Sequence, residues 1–116
     1  MVNKVILVGN LASEPEVRAS QTGTYVTTVR LATNVYAGKG EDGARREQTD
    51  FHNIVFFGKQ AELAGTHLQK GRLLYVEGRL HHSSWEDAAS GQKRYKTEVI
   101  VDEFQFLGPK PQQAAA

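Results

Sequence analysis

Residues 49–59, TDFHNIVFFGK, hold three phenylalanines, a histidine and an amide at spacings that could grip a flat ligand. The segment has the composition of a β-strand, and strand side chains alternate between faces. Phe51, Asn53, Val55 and Phe57 then share one face, and His52, Ile54 and Phe56 share the other. Large apolar groups stand on both faces. One face must be core, and the other must meet something else. Two aromatics and an amide, with basic residues nearby, suit the faces of nucleotide bases. Periodicity alone leaves both orientations open, because Ile54 and Phe56 could equally be the exposed set.

The chain around this strand has 116 residues, enough for one domain with a real core. It has no cysteine, which excludes disulfides, thiolate metal sites and cysteine nucleophiles. The opening MVNKVILVGN is too short an apolar run for a signal peptide. No run approaches the ~20 apolar residues that cross a bilayer. A soluble, cytoplasmic protein is expected. The net charge of +1 weighs against a strong electrostatic binder of duplex DNA. Basic residues still cluster, at Arg45-Arg46 and at Lys93, Arg94 and Lys96. They are either solvated loop tips or part of a binding surface, since distribution matters more than total charge.

The elements follow from pattern. Residues 2–9 are β-branched and apolar and form a first, buried strand. Residues 10–23 hold Pro15, Ser20 and Gly23, which predict a bend and a loop. Residues 24–33 form a second strand. Residues 37–48, with three glycines and six charges, form a loop. Residues 51–57 are the third strand. Ala61, Ala64 and Leu68 recur at helical spacing over 59–70, with Gly71 as the stop. Residues 72–80 are a fourth strand, 81–94 a long hairpin loop containing Trp85, and 95–106 a fifth strand. The segment 108–116 is rich in Pro, Gln and Ala and reads as disordered. Three strands, a helix and two strands is the order of an all-β, five-stranded Greek-key barrel, the OB-fold. The domain is 1–107. Val5 and Leu7 oppose Ile6 and Val8, and Leu73 and Tyr75 oppose Leu74 and Val76. A lone small barrel cannot bury both sets.

Six segments occur in order at natural spacing: VNKVILVGNL (2–11), PEVR (15–18), EQTDFHNIVFFGKQAE (47–62), LQKG (68–71), YVEGRL (75–80) and RYKTEVIVD (94–102). Together they closely resemble the DNA-binding domain of bacterial single-stranded DNA-binding proteins. The resemblance runs from Val2 to Leu107. It implies an OB-fold homotetramer, a dimer of dimers, that wraps single-stranded DNA without sequence preference in replication, recombination and repair. That places it in the cytoplasm with the nucleoid. It implies no cofactor, no metal and no catalysis. It assigns base stacking to Phe51, Phe57 and Trp85, and to a position at or beside Tyr36, with Ala37 the ungapped match. It assigns backbone contacts to Lys59, Lys70 and Arg18. Asn53 shares the aromatic face, and Arg79 shares the outward face of the fourth strand with Tyr75 and Glu77. The resemblance places Tyr75 nearer subunit contacts.

The chain departs from that pattern in three places. His81, His82, Ser83 and Ser84 replace a basic run before the last tryptophan, and Asn53 replaces a usual arginine. Both changes should weaken phosphate attraction. No acidic residue follows Glu103, so partners recruited through an acidic tail tip are not expected. His52, beside Asp50 and Asn53, could be a base or a metal ligand, but no second ligand stands at suitable spacing along the strand. The resemblance favours an interface histidine. His81 and His82 would point opposite ways on a strand and make a poor metal pair. Asp50, Glu62 and Glu77 lack any accompanying nucleophile motif. A single-strand binder is therefore expected, ahead of a protein-interaction OB module and of an enzyme.

Overall fold

The computed structural model describes residues 1–108. It contains β1 (Val5–Leu11), β2 (Glu16–Ala19), β3 (Tyr25–Lys39), β4 (Arg45–Phe57), α1 (Lys59–His67), β5 (Leu73–Glu86) and β6 (Lys93–Leu107). The strands run in the order β1-β5-β6-β4-β3-β2, and a further β1–β3 pairing closes the sheet into a barrel. All pairings are antiparallel except β4–β6. This is the expected OB-fold, with five barrel strands and one helix. β2 is the added piece. It continues the course of β1 past the break at Pro15 and pairs with the start of β3. Its only large apolar side chain is Val17, so periodicity could not reveal it.

Two expected loops are mostly strand. β3 runs on to Lys39 and β4 begins at Arg45, leaving a turn of 40–44. Gly40 N–H donates to the Ala44 carbonyl at 2.8 Å, and Gly43 N–H to the Gly40 carbonyl at 2.9 Å. β5 likewise runs to Glu86 and β6 begins at Lys93, which puts Trp85 on a strand. These hairpins project past the barrel, where both faces meet solvent, so their polar sequences mimic loops. The helix ends at His67, earlier than expected. Leu68 leaves it with extended backbone and is buried at 3% exposure. Gly71, at φ 93°, serves the following turn and is not the helix stop.

The core fills the barrel with Leu11, Val29, Leu31, Ile54, Phe56, Leu74, Val76, Val99 and Val101. Phe56 meets Phe104 edge to face at 5.0 Å between centroids. Helix α1 plugs one end with Ala61 and Ala64, joined by Leu68 just beyond its end. Buried Thr27 fastens it, donating from Oγ1 to the Ala61 carbonyl at 2.7 Å. Gly65 lets the helix approach β2, since a Cβ there would lie 2.6 Å from Val17 Cγ2. Among the described residues no helix is long and apolar enough to cross a membrane.

Candidate nucleic-acid interface

β4 fixes the orientation that periodicity left open. Ile54 and Phe56 are fully buried, whereas Phe51 is 52% exposed and Phe57 46%. Asn53 is exposed between them. Six residues of strand separate the two rings, roughly 20 Å. Val55 shares their face yet is buried, its cross-strand neighbours being Thr28 and Ile100.

Neighbouring strands extend this outer face. Arg18 on β2 lies opposite Val26, which lies opposite Phe57, so the three form one row. Arg18 is tied to Glu16, its Nε donating at 2.9 Å. Arg79, Ile100, Val55 and Thr28 form another row. Tyr36 lies opposite Glu47 on the projecting part of β3, on the face of Asn34 and Ala32. Trp85 stands opposite Arg94 on the β5–β6 hairpin and is half exposed. Alternation puts Ser83, His81 and Arg79 on its side, and Ser84 and His82 on the other. Lys59 begins α1, two residues beyond Phe57. Lys70 is exposed in the turn whose Gly71 N–H donates to the Leu11 carbonyl.

Arg30 was not singled out from sequence. It lies directly across from Asn53, and its guanidinium carbon sits 4.6 Å from the centre of the Phe51 ring. Such a contact at an exposed site contributes about 0.5–1 kcal/mol. The signal was present in residues 24–33, where alternation puts Arg30 on the face of Thr28 and Ala32. A positive charge therefore stands across the strand from Asn53, where the resemblance expects an arginine.

His52 points the other way, its Nε2 at 2.9 Å from Thr33 Oγ1. His82 Nδ1 similarly meets Thr97 Oγ1 at 2.8 Å. No group of three or more His, Asp or Glu side chains could hold a metal among the described residues. Outside the aromatic face, Lys4, Tyr75 and Glu77 form a cluster where β1 meets β5. Glu77 accepts from Lys4 at 2.9 Å and from the Tyr75 hydroxyl at 3.0 Å. Lys4, then Tyr75, hold the Glu77 carboxyl below its ordinary range. The same hydrogen bonds push Tyr75 and Lys4 upward. Arg45's side chain and residues 109–116 lie outside the described set, so the disorder expected over 108–116 falls outside it except at Gly108.

Fold and face together define a small OB-fold barrel with an aromatic, partly basic outer surface. The chain belongs to the single-strand binding protein family, whose model matches residues 2–107. That family consists of binding proteins and not enzymes. The chain is 44% identical over 107 residues to the single-stranded DNA-binding protein of Xylella fastidiosa, covering 92% of this chain and 64% of that protein. Among solved structures, it is similar to Plasmodium falciparum SSB in complex with ssDNA, with a TM-score of 0.79 at 32% identity. That match covers 93% of this chain and 96% of the other. The wild-type single-stranded DNA binding protein from Thermus aquaticus gives a TM-score of 0.76 at 31% identity, covering 92% of this chain and 50% of that one. The chain thus spans less than two thirds of the Xylella and Thermus proteins.

Proposed function

We propose that this chain binds single-stranded DNA without sequence preference, through residues 1–107, and protects it during replication, recombination and repair. One observation carries the proposal: β4 turns Phe51 and Phe57 outward while Ile54 and Phe56 fill the core. Exposed rings on a rigid strand are stacking platforms, and every base offers a π-face. Trp85 and Tyr36 extend the platform along the two hairpins. Arg18, Lys59, Lys70 and Arg79 contribute backbone contacts, and Asn53 lies between the two rings. Phosphate contacts position the strand without reading sequence. The names of the relatives support the same ligand. The site of action is the cytoplasm at the nucleoid, and the working assembly is a homotetramer, a dimer of dimers.

Trp85 is the only tryptophan, so its fluorescence reports one place per subunit. Oligo-dT should quench it strongly, and duplex of equal length should not. Equal responses to both, or no response to either alongside no shift in electrophoresis, would overturn the proposal.

A further inference from the structure

We infer that Arg30 and Phe51 act as one nucleotide-binding unit, in which the ring carries a base and the guanidinium holds the adjoining phosphate. The inference rests on the single-strand reading above and adds a residue to it. Three observations carry it. The guanidinium carbon lies 4.6 Å from the Phe51 ring centre, while the residue remains 52% exposed. The ring therefore keeps open surface for a base, with the cation alongside.

Next, the backbone of Arg30 is pinned. Its carbonyl accepts from Ala12 N–H at 2.8 Å, and its N–H donates to Ser13 Oγ at 3.2 Å. The residue sits between the stretch of β3 that pairs with β1 and the stretch that pairs with β2. A long flexible side chain is thus projected from a fixed point.

Finally, the charge is uncommitted. Arg18, Arg94 and Lys96 are tied to Glu16, Asp87 and Glu98. Among the described residues Arg30 forms no ion pair with a carboxylate. A cation paired with a carboxylate must share or break that pair to meet a phosphate. Arg30 has no such pair to give up, and each phosphate it neutralises adds to the salt dependence. The guanidinium fork also matches phosphate geometry. Arg30 lies directly opposite Asn53, so it supplies the positive charge that β4 lacks there.

The test is a salt series of oligo-dT titrations, read by Trp85 quenching, with each variant's thermal midpoint measured as a folding control. Arg30→Gln should reduce the log–log salt slope by about 0.7, or about 2.6-fold less affinity lost between 50 and 200 mM salt. Arg30→Lys, which keeps the charge, should keep the wild-type slope. Asn53→Arg in the Arg30→Gln background should restore it, because the charge returns one strand away. An unchanged slope in Arg30→Gln overturns the inference, including where affinity falls equally at every salt concentration. That pattern would make Arg30 only a support for the ring. A Gln-like slope in Arg30→Lys overturns it too, as does failure of the double variant to recover. Wild-type protein that does not bind oligo-dT would sink the single-strand reading itself, a distinct result.

Discussion

Phe51 and Phe56 are five residues apart on one strand and should fail in opposite ways. Phe56 is fully buried and packs on Phe104, so Phe56→Ala leaves a cavity and should cost about 3–5 kcal/mol of stability. Phe51 is half exposed, and its ring touches Arg30 from the neighbouring strand. Phe51→Ala should leave the thermal midpoint nearly unchanged. It should weaken oligo-dT binding by roughly 1–3 kcal/mol, a range taken from single-strand binders of this kind and not from this chain's geometry. Phe51→Trp enlarges the same flat surface and should bind as well or better. Denaturant melts and fluorescence titrations on the three variants check all of this. Unfolding by Phe51→Ala, with Phe56→Ala stable but unable to bind, would mean that the strand faces the other way.

At the scale of elements, the barrel depends on backbones that nearly touch. A Cβ on Gly78 would lie 2.0 Å from the Ile100 carbonyl oxygen, beside the register shift where β5 meets β6. Backbone cannot yield as a side-chain tip can. Gly78→Ala should therefore cost about 1–3 kcal/mol, measured by urea denaturation, and a neutral result would show that the shift absorbs the methyl group. The β1–β5 seam has its own signature in pH. Glu77 is held below its ordinary range, so its contribution is present above that range and fades as pH falls through the lowered value. Lys4 and Tyr75 are raised, so their contributions hold below their ordinary values and fade as pH rises through the raised ones. Relative to wild type, Glu77→Gln should flatten the thermal midpoint at both the acid and alkaline limbs. Parallel curves for the two proteins would assign the seam no electrostatic role. These same elements show what sequence could and could not convey. The apolar runs around Leu7, Val29, Ile54 and Val101 announced the barrel strands because burial demands such residues. β2 and the hairpin arms were silent because strands with little buried surface need no apolar pattern. Phe51 and Phe57 were legible as a pair, but which face they occupied was not. That depended on the partners of β4 across the barrel. Arg30 became a candidate only when register set it opposite Asn53, a relation between distant segments that no local pattern encodes.

The whole molecule has an unfinished side. Ile6 and Val8 point outward from β1 and are 57% and 49% exposed, while Val5 and Leu7 pack against the core. β1 pairs with β5 along 5–10, but its other edge meets β3 only at Asn10 and Leu11. Among the described residues no strand covers that edge over 5–9. An exposed edge with apolar side chains is a template for another strand. A second copy of β1 fits it, because two identical edges related by a two-fold axis satisfy each other's hydrogen bonds and bury both pairs of side chains. This would place dimer formation on the β1 side of the barrel and leave the Phe51 face of β4 open to DNA, with a second contact completing the tetramer. Light scattering at micromolar concentration should give about four times the 12.8 kDa chain mass. Ile6→Lys with Val8→Lys places like charges on both sides of the axis and should lower that mass, while the core, built from Val5 and Leu7 on this strand, stays folded. Monomeric wild-type protein would refute the assembly. A double variant with unchanged mass would move the contact elsewhere on the barrel.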